Sequence, residues 1–184
     1  ITSNVRIGSQ DDAIELSRNT VKITLHNQTN DQTFSIEGAN LINAPESGYI
    51  FPNVATDPLA SAIARKPYGG GDTSGADTER TIINRFGDEL PPLYCYESAA
   101  QASTNTFVIV KVNYRGTTGY HRINLLAKDD KAQLDLKRNF HYRIQILKVV
   151  SPGYRSALEA MNSDGLSNDI DYDIKVQDPD SHEI

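Results

Sequence analysis

Hydrophobic and polar positions alternate with a period of two through much of the chain's second half. Phe140, Tyr142, Ile144 and Ile146 fall on one side and His141, Arg143 and Gln145 on the other, as a half-buried strand requires. Ile170, Tyr172, Ile174 and Val176 repeat the pattern against Asp171, Asp173 and Lys175. A well-patterned strand so late in the chain needs either a pairing partner or a managed open edge.

Earlier, Val21, Ile23 and Leu25 alternate with Lys22, Thr24 and His26, and a turn-rich Asn27-Gln28-Thr29-Asn30-Asp31 leads to Phe34 and Ile36. A hairpin is expected there. Val5 with Ile7, and Ile14 with Leu16, predict two short strands. After Tyr49, and until about Arg80, the composition shifts to Pro, Gly, Ala and Asp. Asp57-Pro58 can start a short helix over residues 59–63, and Gly69-Gly70-Gly71 with small polar neighbours predicts a mobile loop. Further strands are expected over residues 93–96, 106–114, 120–126, 140–149 and 170–176, spaced by turn chemistry such as Arg115-Gly116-Thr117-Thr118-Gly119. Ser156-x-x-Glu159 is a capping-box pattern for one short helix between the last two strands. The cadence is all-β and of β-sandwich type. The composition shift divides the chain into residues 1–52 and a C-terminal sandwich of residues 53–184, with the mobile loop near 64–80.

Composition narrows the function classes. At 184 residues the chain can bury a core without metal or disulfide staples, and the lone Cys95 reads as a buried strand residue. With 24 acidic against 18 basic side chains and no basic run, the surface is mildly anionic, which argues for solubility and against nucleic acid as a partner. No apolar stretch approaches the length of a membrane span. Ile1 opens in mid-pattern, without a start methionine or a signal peptide ahead of it, so a processed or truncated form is expected.

Candidate chemistry is sparse. His26, His121, His141 and His182 show no HxH or HExxH spacing, and the first three are expected at solvated strand positions. Asp169, Asp171, Asp173 and Asp178 resemble a calcium cluster in number alone, since alternation sets the first three in a row on a strand's outer face. The Gly69 loop lacks the Lys-Ser or Lys-Thr ending of a phosphate cradle, and no GxSxG elbow is present. The expectation is a protein that is not an enzyme, with no cofactor and no metal. Asn27-Gln28-Thr29 matches a glycosylation sequon by pattern.

Leu93-Tyr94-Cys95-Tyr96-Glu97, then residues 107–114 (FVIVKVNY), then Arg138-Asn139-Phe140-His141-Tyr142-Arg143-Ile144, Gly153-Tyr154 and Glu159-Ala160 form a set. This set resembles the Bacteroidales fimbrillins, the subunits of type V pili. That family shows a Tyr-x-Tyr-Glu strand, an Arg-Asn-x-x-Tyr corner and a Gly-Tyr turn before Glu-Ala. The resemblance covers about residues 87–178, and residues 17–23 and 43–52 look like the latter half of the family's N-terminal domain. It implies two transthyretin-like sandwiches in tandem, the first partial here and the second complete.

The resemblance further implies a lipoprotein precursor that reaches the outer membrane and a trypsin-like maturation protease that removes the first strand. The vacated groove then accepts an extended strand from the next subunit, by β-augmentation. The implied partners are other fimbrial subunits, the maturation protease, and surface ligands on host or bacterial cells. Ile170, Tyr172, Ile174 and Val176 fit the donor strand by their spacing. The rival is that this strand completes its own sandwich. The leading function is thus a structural or adhesive subunit of a cell-surface fimbria. The alternative is a non-polymerising carbohydrate-binding module using Tyr68, Tyr94, Tyr96, Tyr114 and Tyr120 with loop 64–80. A sandwich-fold hydrolase would need paired carboxylates in a cleft.

Overall fold

The computed structural model describes residues 3–6, 13–16, 18–45, 92–100 and 105–178. In chain order the elements are β1 (Ser3–Arg6), β2 (Ala13–Leu16), β3 (Thr20–Asn27), β4 (Phe34–Ile42), β5 (Leu93–Tyr96), β6 (Phe107–Tyr114), β7 (Thr117–Asn124), β8 (His141–Val149), α1 (Ala157–Asn162) and β9 (Ile170–Gln177). β1 and β2 pair with each other, and the remaining strands form two sheets, ordered β5-β3-β8-β9 and β4-β6-β7. Every ladder is antiparallel except β3 with β8, which runs parallel from Lys22↔His141 to Asn27↔Ile146.

Alternation decides what lies between the sheets. Val21, Ile23 and Leu25 of β3, Cys95 of β5 and Tyr142, Ile144 and Ile146 of β8 meet Phe34 and Ile36 of β4, Val108, Val110 and Val112 of β6 and Ile123 of β7 in one buried cluster. Each such aliphatic side chain withdrawn from water contributes about 1.5–3 kcal/mol. The expected all-β sandwich forms around this cluster.

Two bulges keep apolar residues on the inner face. Between Ile36 and Gly38 the register of β4 shifts, and the inward series moves from Phe34 and Ile36 to Ala39 and Leu41. Between Ile146 and Lys148 the same happens on β8: Leu147 is left 45% exposed and Val149 returns to the core. One extra residue reverses which side chains point inward.

The other face of the three-stranded sheet is also covered. Ile42, Phe107 and Ile109 pack under Ala157 and Ala160 of α1. The expected cap is present, with Ser156 Oγ accepting the Glu159 amide at 3.2 Å. The Glu159 carboxylate accepts the Arg155 amide at 3.1 Å, one residue before the donor a capping box uses.

Two expectations change. β3 and β4 are not a hairpin, because the polar segment after Asn27 carries the chain from one sheet to the other. The turn after β6 is tighter than expected. Arg115 (φ 53) and Gly116 (φ 81) alone connect Tyr114 to its partner Thr117, the two-residue turn with positive φ at both positions that a right-twisted hairpin favours. β3 and β4 share both sheets and one cluster with the strands that follow residue 92. The boundary expected at residue 52, the expected helix over 59–63 and the loop near 64–80 lie outside the described residues.

Tyr142 anchors the corner before β8. Its hydroxyl donates to the Asp135 carbonyl at 2.7 Å and accepts the Lys137 amide at 2.9 Å, and burial pushes the phenol up to about 12. The fold therefore disfavours the phenolate. The stability tied to the neutral form is complete below the pKa of about 10 of an unfolded tyrosine, and is lost as pH rises through about 12. Tyr142→Phe is expected to cost about 1–3 kcal/mol at neutral pH by orphaning both partners. It should also flatten the alkaline decline. Urea unfolding of both proteins at neutral and alkaline pH measures each effect.

Candidate functional site

β9 closes one side of the four-stranded sheet and pairs with β8 from His141↔Gln177 to Val149↔Ile170. Of the four donor-strand candidates, Ile170 is buried, Tyr172 and Ile174 pack partly against the inter-sheet cluster, and Val176 is 43% exposed. The structure therefore brings Ile170, Tyr172 and Ile174 together on the core and leaves Val176 outside it. The Tyr172 hydroxyl reaches the other sheet, donating to the Asn124 carbonyl at 3.0 Å. Burial pushes this phenol's pKa up.

The approach to β9 is pinned to β7 by two residues that the sequence reading did not single out. Arg122 lies 3.8 Å from the Phe107 ring centroid and donates to the Met161 and Ser163 carbonyls at the end of α1, where a cation complements the helix dipole. Asn124 Nδ2 donates to the Asp164 carbonyl at 2.7 Å. Gly165 (φ +69) passes so close that a Cβ there would lie 2.6 Å from Asn124 Nδ2. Amphipathic alternation marks Arg122 and Asn124 as outward residues of a strand, and only the returning loop turns them into clamps.

A groove of about 300 Å³ runs along β9 from Ile170 to Ile174 and is lined as well by Leu126, Lys128, Lys131 and Leu166. Lys128 Nζ lies 3.3 Å from Asp173 Oδ2, with the lysine side chain largely in solvent and the aspartate 20% exposed. Asp171 and Asp178 are exposed, whereas Asp169 and Asp173, expected on the same solvated row as Asp171, are half-buried. No group of three His, Cys, Asp or Glu side chains fit to hold a metal occurs among the described residues.

The histidines differ from expectation. His26 and His121 are 5% and 1% exposed, not solvated. Thr24 Oγ1 sits 3.1 Å from His26 Nε2 and 2.8 Å from His141 Nε2, and His121 Nε2 lies 3.2 Å from the Ser151 carbonyl. Burial pushes the His121 pKa down, favouring the neutral ring. His182 lies outside the described residues. The sequon residue Asn27 is buried, with Oδ1 accepting from the Thr29 amide and hydroxyl at 3.0 and 2.8 Å. The tyrosines proposed as a ligand bed do not converge. Tyr114 is in the inter-sheet cluster, Tyr120 packs beside α1 on the opposite face of the same sheet, and Tyr94 and Tyr96 sit on β5. Tyr68 lies outside the described residues.

Two of the resemblance motifs meet in space. Glu97, which ends Tyr94-Cys95-Tyr96-Glu97, takes a two-pronged ion pair from Arg138 of the Arg138-Asn139 corner, with Nε to Oε2 at 2.8 Å and Nη2 to Oε1 as the second contact. Both side chains are nearly sealed, at 3% and 11% exposure. The pair raises the Arg138 pKa further above its ordinary value.

No protein-family model matches the chain, and no curated protein matches it. Among solved structures, it is similar to a proposed cell adhesion protein from Parabacteroides distasonis at 13% identity, covering 87% of this chain and 52% of that one with a TM-score of 0.47. It is similar to the tip fimbrial protein Mfa3 from Porphyromonas gingivalis, solved with a C-terminal truncation, at 14% identity, 88% and 52% coverage and a TM-score of 0.46. A proposed cell adhesion protein from Bacteroides eggerthii gives 14% identity, 89% and 56% coverage and a TM-score of 0.45. The chain thus spans about half the length of these structures. Likeness at this level assigns neither family nor function.

Removing one partner of a sealed ion pair leaves a charge without compensation. Arg138→Ala is expected to destabilise the fold by about 3–5 kcal/mol. A combined Glu97→Gln and Arg138→Met replacement should recover much of that loss. Denaturant midpoints of the single and double variants decide this.

Proposed function

We propose that this chain is a non-enzymatic structural or adhesive subunit of a cell-surface fimbria, joined to its neighbours by strand exchange with β9 as the donor. The sequence motifs that resemble fimbrillins point to this class. The observation that carries the mechanism is the position of β9: among the described residues it is a peripheral strand paired on one side only, and its inward residues grade from buried Ile170 to 43% exposed Val176. Such a strand can leave with less loss than β3 or β8, which have partners on both sides. A neighbour's equivalent strand would restore the same contacts, which is why exchange of an identical element is a low-cost route to assembly.

Export as a lipoprotein precursor, anchoring at the outer membrane and proteolytic removal of an N-terminal strand extend this reading on the sequence resemblance alone.

Gln145 and Asp173 are cross-strand partners, so cysteines at these positions report where β9 resides. Gln145→Cys and Asp173→Cys proteins, mixed during assembly and then oxidised, should give disulfide-linked heterodimers on a non-reducing gel. If assembled fibres of a doubly substituted chain contain only internal disulfides, β9 has stayed at home and the proposal fails. Deleting residues 168–184 should abolish polymerisation while leaving a folded monomer. A truncated chain that unfolds would assign the strand to its own core.

A further inference from the structure

Among the described residues, the second edge of β9 pairs with no strand. An open edge of this length is a template for another strand, and the sequence of β9 specifies which. Laid antiparallel on a second copy about Ile174, Ile170-Asp171-Tyr172-Asp173-Ile174-Lys175-Val176-Gln177 is its own complement. Asp173 faces Lys175 on both sides of the axis, Tyr172 faces Val176, Asp171 faces Gln177, and Ile174 faces itself.

Neighbouring registers are worse. Centring the pair on Asp173 or Lys175 sets like charges face to face, and centring on Tyr172 opposes Asp171 with Asp173. Like charges directly opposite destabilise a ladder, whereas unlike ones support it. A shift that placed odd against even residues would set the apolar face of one copy beside the polar face of the other. The Ile174-centred register also accounts for exposed apolar surface. It carries Val176, 43% exposed, to the Tyr172 end of the partner strand. There the groove lined by Leu126, Leu166, Ile170 and Tyr172 runs alongside, and Leu166 is 68% exposed.

We propose that two copies of this chain pair along β9, antiparallel and two-fold about Ile174, joining their four-stranded sheets into one continuous sheet. The occupant of the edge is a second copy, and a two-fold contact of this kind closes at a dimer. In this arrangement β9 remains on its own β8, so the dimer does not rest on the strand-exchange reading. The Gln145→Cys and Asp173→Cys mixture would leave such a dimer without a disulfide linking residue 145 to residue 173.

Sedimentation velocity over a range of protein and salt concentrations tests the proposal. The wild type should show a monomer–dimer equilibrium that weakens as salt screens the Asp173 and Lys175 pairs. Asp173→Lys and Lys175→Asp should each weaken self-association about tenfold or more. An equimolar mixture of the two variants should recover dimers, because each chain then supplies the charge the other lacks. Asp173 also holds Lys128, so melting curves of each variant check its folding, and recovery on mixing requires both to be folded. Ile174→Cys should oxidise to a symmetric dimer, since directly opposed residues lie within disulfide reach. A wild type that stays monomeric at hundreds of micromolar overturns the proposal. So does a single charge variant that associates like the wild type, or a mixture that fails to recover.

Discussion

The parallel pairing of β3 with β8 organises this sandwich. Parallel neighbours cannot be joined by a tight turn, and here the intervening chain builds all three strands of the other sheet and adds β5 before it returns. The ladder is extended at both ends: the Asn139 and Lys22 amides donate to Thr20 and Phe140 carbonyls at 2.9 and 3.0 Å, and the Gln28 amide donates to the Ile146 carbonyl at 2.9 Å. β5 has a sheet to join because β3 is central, and β9 has one because β8 is. The Glu97–Arg138 pair then fastens the strand on one side of β3 to the corner leading into the strand on the other. Two short motifs far apart in the chain are thus parts of a single brace.

The opposite sheet is tied to β9 by β7. Arg122 and Asn124 hold the segment between α1 and β9, and the Asn124 carbonyl also receives the Tyr172 hydroxyl. Position and attachment of the last strand are therefore set by different sheets. The main-chain ladder comes from β8, and the side-chain tethers come from β7.

Much of this was visible in the alternation. β3, β8 and β9 carry period-two patterns strong enough to assign both the strand and its inward face, β6 was legible as a strand from its apolar run, and Ser156 with Glu159 marked α1. The two-sheet path from β3 to β4 was not visible, because a polar segment between two patterned runs suits a hairpin and a crossing equally well. The bulges at Glu37 and Leu147 were hidden for a similar reason, since one added residue changes parity without leaving a compositional mark. Thr24 and His26 show the limit of reading polarity as exposure: both are outward by alternation, yet buried. Along β9, spacing alone assigned Ile170, Tyr172 and Ile174 to the inward face. Val176 differs because its exposure depends on where the inter-sheet cluster stops, which the pattern within β9 does not encode.

The directions of the strands have a mechanical consequence. His141 neighbours Lys22 on one side and Gln177 on the other, so the start of β3 and the end of β9 lie at the same end of the sheet, about 10 Å apart across β8 by strand spacing. Tension applied between those two points acts across the strands, and it peels β9 from β8 one hydrogen bond at a time, beginning at Gln177. A pull along the axis of β9 instead loads the whole ladder in shear. The same strand is a weak seam or a strong joint according to the direction of the load.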